Sequence, residues 1–264
     1  SILYLIFLSI LFSDTEPFSI YKVHKNIIAG RINEDIIIDG VLNEKSWLAI
    51  EAQSDFNQEE PVYFSNPTEK TEVKVAYDRN SIYIAAILYD SEPSLIKKQL
   101  SVRDDWEQAF GDNSDWFSVE IDSEHKHQTG YSFSVNASGV QCDDMIYDDL
   151  YYDNSYNAIW DSEVLLFDKG WIVEMAIPFS MLKFADKDQY TWGINFTRYI
   201  YRKDESINWI VLPIESKGIV SQFGHLLGIK GIYPPTKFEI LPYINLASDL
   251  TDNHMISLEP EINS

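Results

Sequence analysis

The stretch 71–89 constrains this chain more than any other. Val73, Val75 and Tyr77 alternate with Glu72, Lys74 and Ala76, so one side of an extended chain is apolar and the other is mixed. Successive side chains leave a strand on opposite faces, which makes period-two alternation the mark of a half-buried β-strand. Asp78-Arg79-Asn80 supplies turn residues, and 81–89 returns as a mostly apolar strand. Such a hairpin has an apolar face that it cannot bury alone, so it requires a second layer.

The same signal recurs along the chain. Further strands are expected at 36–38, 116–122, 130–136, 163–167, 171–177, 192–198 and 208–212. Asn43 is placed to cap a short helix carrying Trp47 and Ala49, and Pro178 to start a single helical turn through Met181 and Leu182. Many short strands divided by turns predict an all-β fold, a two-sheet antiparallel, jelly-roll-like β-sandwich with one or two short helices. Its core is expected to include Val73, Val75, Tyr77, Ile82, Ile84, Val119, Ile121, Phe133, Val135, Ile172, Ile194 and Phe196.

The two ends differ from this middle. Residues 2–12 are apolar except for Ser9, too short a run to span a bilayer as a helix but suited to the core of a signal peptide. With no initiator Met or basic stretch before it, 1–13 reads as a partial signal peptide and 14–30 as a tail. The sandwich is expected over 31–232. After Pro234-Pro235, Phe238, Ile240, Pro242, Ile244 and Leu246 form one apolar face of a ten-residue segment, the pattern of a membrane-barrel strand or of a soluble edge strand. Residues 233–264 thus read as a linker and the start of a truncated C-terminal domain. The signal-peptide reading implies export, and a single cysteine without a lipobox suggests the periplasm or outer membrane of a bacterium. The single cysteine, Cys142, forms no intramolecular disulfide and reads as a small buried residue.

Charge narrows the partners. A net charge of −22 repels phosphate backbones and anionic headgroups, which excludes nucleic acid and leaves contact with a membrane only through the C-terminal domain. Neutral ligands such as sugars, and hard cations, are compatible with it. Nucleotide-binding glycine loops, the G-x-S-x-G elbow and H-E-x-x-H are all missing from the sequence.

Residues 103–163 hold fifteen acidic side chains against two basic ones. Asp112, Asp115, Asp143 and Asp144 are candidates for a structural calcium ion, with a solvated acidic loop as the alternative. His125 and His127 share a face but have no third ligand near them in sequence, and read as a solvated turn. Glu120 and Asp122 share a strand face at a spacing that suits paired acid/base carboxylates, yet an acidic chain produces such pairs by chance. No catalytic residue is assigned. Trp106, Tyr151 and Tyr152 are candidates for stacking on a sugar, with Asn136 bonding to its hydroxyls, whereas Trp116 and Trp160, at strand starts, read as core.

Several segments taken in order resemble the family 9 carbohydrate-binding module. They are Ile38-Asp39-Gly40 with Trp47, Thr71-Glu72-Val73 with Ala76-Tyr77-Asp78, Val119-Glu120-Ile121-Asp122, and Phe133 with Val135-Asn136 and Gly139. Gly170-Trp171-Ile172-Val173-Glu174, Ile177-Pro178-Phe179, Trp192-Gly193-Ile194-Asn195-Phe196 and Phe223-Gly224 complete the set. Arg103-Asp104, Arg198, Arg202, Glu205 and Leu241-Pro242-Tyr243 resemble a bacterial subset in which this module precedes an outer-membrane-type barrel domain, which implies that the domain starting within 233–264 is barrel-like. The resemblance implies a carbohydrate-binding module linked to carbohydrate catabolism, in which any glycosyl hydrolase activity belongs to attached parts. The alternative is a plug-like interaction domain that binds no sugar. In sugar-binding members two tryptophans clamp the ligand. Their places fall near Asp112 and Lys217, and those of a family carboxylate and arginine near Ser118 and Ser134.

Overall fold

The computed structural model describes residues 25–234, within which the chain forms two packed β-sheets. The strands are β1 (Asn26–Ile28), β2 (Gly30–Arg31), β3 (Asn57–Glu60), β4 (Thr71–Tyr77), β5 (Ser81–Tyr89), β6 (Trp116–Asp122) and β7 (Gly130–Asn136). They continue as β8 (Gln141–Tyr147), β9 (Tyr151–Asp153), β10 (Asp161–Phe167), β11 (Gly170–Pro178), β12 (Gln189–Ile200), β13 (Glu205–Asn208) and β14 (Gly224–Lys230). The large sheet runs β1-β14-β12-β6-β7-β8-β9, with β13 and β3 added beyond β12; the small sheet runs β10-β11-β5-β4-β2. Neighbours pair antiparallel except at two edges, where β1 joins β14 and β2 joins β4 in parallel. The expected two-sheet β-sandwich is thus the fold observed.

The core lies between the sheets and follows the alternation. From the large sheet it takes Phe117, Val119, Ile121, Phe133, Val135, Ile194 and Phe196; from the small sheet, Val73, Val75, Tyr77, Ile82, Ile84, Trp171, Val173, Met175 and Ile177. Each such side chain contributes about 1.5–3 kcal/mol on burial, before chain entropy is subtracted. Eleven of the twelve expected core residues are here. The exception is Ile172, which is half-buried on the other face because Trp171 and Val173 take the inner positions of β11. One charge also lies inside: Arg198, fully buried, donates to the Lys70 carbonyl at 3.0 Å and the Tyr89 carbonyl at 2.7 Å, tying the two sheets at one end. Burial pulls its pKa down to about 10.

Several local expectations are corrected. Residues 36–38 form no strand; Ile36 packs towards Trp47 while Ile37 points to solvent. The helix α1 (Lys45–Ala49) starts from Glu44 rather than Asn43, without a side-chain cap. The strand expected at 208–212 lies at Glu205–Asn208, since its ladder with β12 ends there. From the expected tail, 26–28 join a sheet edge as β1 and Gly30 opens β2. The apolar segments at 2–12 and 238–247 lie outside the described residues.

Candidate functional site

The outer face of the large sheet is where the sequence departs from a solvated surface. Direct pairing places Asn208, Thr197, Ser118, Ser134 and Cys142 in one row across β13, β12, β6, β7 and β8. The next row is Asn195, Glu120, Ser132 and Asp144. These side chains all point away from the core because their neighbours Phe117, Val119, Ile121, Phe133, Ile194 and Phe196 point into it. Together they floor a cleft of about 700 Å³. Its serine hydroxyls chain together, Ser134 to Ser118 at 2.9 Å and Ser118 to Ser132 at 3.3 Å.

Aromatic rings stand at one end of this floor. Trp116 precedes Ser118 on the same face and stacks on Tyr199, centroids 5.7 Å apart and planes 21°. Trp106, on α2 (Trp106–Ala109), packs edge-on to Trp116 at 5.3 Å and lies flat on Phe110 at 5.1 Å. The helix is held at its start by Asp105, whose carboxylate accepts from the Gln108 backbone N–H. Trp106 is 41% exposed, and with Trp116 it lines the cleft.

Carboxylates stand farther along. Glu120 is 7% exposed and accepts from the Tyr152 hydroxyl at 2.6 Å. Burial raises its pKa to about 7, helped by the nearby charges of Glu59 and Asp144. Glu59 is also pushed up by burial, and it accepts from the Asn208 amide at 2.5 Å. Asp144 is pushed up by burial and by Asp104 and Asp143 beside it. The cleft therefore concentrates carboxyl groups that are hard to ionise, with phenol, amide and hydroxyl groups between them.

The expected site residues are dispersed. Trp106 and Tyr152 line the cleft, whereas Tyr151 points to solvent beside Tyr147, with 5.6 Å between ring centroids. Asn136 is fully buried away from the cleft. Its amide donates to the carbonyls of Gln99 at 2.7 Å and Ala109 at 2.8 Å, and its oxygen accepts from the N–H groups of Ser138 and Val140. It has no group left for a hydroxyl and instead anchors the loop that carries Trp106. Trp160 is core, but Trp116, which reads as core from sequence, is half-buried and lines the cleft.

The four aspartates do not assemble into a cation site. Asp143 and Asp144 are adjacent on β8 and so leave it on opposite faces. Asp143 points inward, ion-paired with Arg103 and accepting from Ala158 N–H at 2.6 Å and the Trp160 indole at 3.1 Å. Asp144 faces the cleft. Asp115 is buried near Arg198 and accepts from Lys97 N–H at 3.1 Å; burial raises its pKa to about 6. Asp112 is exposed and accepts from the Tyr199 hydroxyl at 3.2 Å. Among the described residues, the side chains whose ligand atoms do converge are Asp122, His125 and His127.

Sequence reasoning missed Glu59, Asn195, Thr197 and Asn208. One signal could have found two of them: Ser118-x-Glu120, Ser132-x-Ser134 and Asn195-x-Thr197 all place polar residues at alternate positions of strands whose other face is core. Glu59 and Asn208 come from short edge strands without periodicity.

A family model described as "Carbohydrate family 9 binding domain-like" matches residues 38–210. No curated protein matches the chain. Among solved structures, a carbohydrate-binding module of family 9 from Caldicellulosiruptor kristjanssonii in complex with glucose is similar with a TM-score of 0.56 at 15% identity, covering 80% of this chain and 97% of that one. The module in complex with cellotriose gives 0.55 at 16% identity, covering 84% and 100%. A protein from Bacteroides uniformis, described as a "putative carbohydrate-binding protein", gives 0.59 at 13% identity, covering 78% and 100%. At these identities the likeness is one of fold.

Proposed function

The chain belongs to the carbohydrate family 9 binding domain-like family, and from that premise we propose that its outer-face cleft binds a neutral saccharide without cleaving it. The observation that carries this reading is the pairing of an exposed Trp106 with a polar floor in one cleft. A pyranose presents C–H groups on its faces and hydroxyls on its rim. Rings can pack on the first while carboxyl, amide and hydroxyl groups bond to the second. The relatives of like fold in complex with glucose and cellotriose support this ligand class. The tryptophans here stand at positions other than those of the family clamp, so the ligand's orientation is this chain's own.

In this reading glycosidic hydrolysis resides in whatever the module is joined to, and the apolar run at 2–12 supports an extracytoplasmic setting. Titration calorimetry with glucose, cellotriose and a panel of oligosaccharides tests it. Saturable binding that weakens at least about tenfold in Trp106→Ala, the loss of roughly 1.4 kcal/mol of stacking, is the expected result. No binding to any saccharide, or equal affinity in the variant, overturns it.

A further inference from the structure

We propose that Asp122, His125 and His127 form a binding site for a zinc-class divalent transition-metal ion, separate from the saccharide cleft. The site lies at the end of β6 and in the connection to β7. Along β6 the outward residues are Trp116, Ser118, Glu120 and Asp122, so the aromatic end of the cleft and this cluster sit at opposite ends of one strand face.

The geometry is that of a nearly assembled ligand set. One ligand atom from each of the three side chains lies within 4.8 Å of the others, and His127 Nδ1 is 4.0 Å from Asp122 Oδ2. A tetrahedral ion with metal–nitrogen distances of about 2.0–2.1 Å brings its donors to roughly 3.3 Å apart, so rotation of side chains by about an ångström closes the set. The imidazole rings of His125 and His127 lie 4.6 Å apart. The Nδ1 atoms of both are buried and make no hydrogen bond. A buried ring nitrogen without a hydrogen bond costs desolvation that a metal ion would recover.

The carboxylate is already oriented. Asp122 is fully buried and accepts from the backbone N–H of His127 at 2.8 Å and of Lys126 at 3.4 Å, the kind of outer support that fixes a metal ligand. Gly193 pairs with Asp122 on one side and with His225 on the other, which sets His225 on the same sheet face. Its ring lies 5.3 Å from that of His125, and its Nδ1 is 3.3 Å from the Asn26 side-chain oxygen. The backbone carries a cost as well. His125 and His127 sit at φ 53° and 60°, the left-handed region that side chains with a Cβ avoid. That conformation aims both rings at one carboxylate. Two imidazoles with one carboxylate favour zinc, nickel or cobalt over calcium and magnesium, which take all-oxygen sets.

The test uses the intact chain in excess magnesium, which occupies surface carboxylates. Zinc at roughly 100-fold over its dissociation constant is expected to raise Tm by several degrees. The rise is expected to vanish in the double variant His125→Asn/His127→Asn, chosen because asparagine tolerates positive φ. No shift with the wild type, or an equal shift with the variant, overturns the proposal. Should the variant fail to fold, imidazole NMR of the wild type decides. Zinc must move the ring resonances of His125 and His127, and movement confined to other histidines overturns the site.

Discussion

Each sheet of this sandwich carries a buried glutamate on its outer face, and the two are treated in opposite ways. On the small sheet, Glu174 lies under the 36–50 segment and is fully buried. It accepts from the Trp47 indole at 2.8 Å and from the N–H groups of Gly40 at 3.1 Å and Asp39 at 3.2 Å. Trp47 fits because Ala76 and Ala85 beneath it are small, and Gly40 makes the turn at φ 77°. That face is sealed. On the large sheet, Glu120 has one phenol donor and a cleft in front of it. Burial thus gives a structural acceptor in one place and a group available to a ligand in the other. What separates them is whether the chain supplies N–H donors to cover the oxygens.

Breaking the sealed face should cost most. Trp47→Ala removes a fully buried indole and strands Glu174, and is expected to lower stability by about 3–5 kcal/mol in denaturant unfolding. Saccharide affinity per folded molecule should stay as in wild type. Reduced affinity would mean that the two faces are coupled. Glu174→Gln replaces one acceptor oxygen by a donor facing N–H groups, with an expected loss of about 1–3 kcal/mol.

The open face should respond in the other direction. Glu120 has a folded pKa of about 7 against an ordinary 4.5, so the folded state holds its proton where the unfolded chain has lost it. Stability contributed by this group is complete below pH 4.5 and falls as pH rises towards 7. Glu120→Gln should be nearly neutral at pH 4 and stabilising by roughly 2–3 kcal/mol at pH 8, read from paired denaturation curves. A pH-independent difference would show that Glu120 ionises as freely as a surface carboxyl. The smallest effect on stability is expected at Trp106→Ala, about 1 kcal/mol or less, since the ring is 41% exposed. Its effect on saccharide affinity should exceed its effect on folding.

How much was legible depends on whether a strand has one buried and one unremarkable face. β4, β5, β6 and β7 occupy the residues that alternation marks. β8 carries no such signal: its inward Asp143 is a carboxylate neutralised by Arg103, forty residues away in sequence, and its outward Asp144 faces the cleft. The assignment of Ile172 to the core slipped by one residue because β11 is covered on both sides and reads as an almost continuous apolar run. For the site, aromatic and acidic residue types pointed to 103–163, but membership was decided by pairing. Asn136 looked like a polar ligand and is a loop anchor, while Trp116 looked like core and lines the cleft.

Fold class and family were legible in the chain alone, since both rest on local periodicity and on segments in fixed order. Which polar groups meet was settled by the packed fold. Strand register set Glu120 beside Asn195 and Ser132 and brought Asp144 into the same row, and the packing of Arg103 and Trp160 neutralised Asp143 within the fold. Chain folding over one face, and not the other, decided that Glu174 is covered and Glu120 is open. Register and coverage are long-range properties, fixed by the pairing of residues far apart in the chain, and no window of sequence contains them.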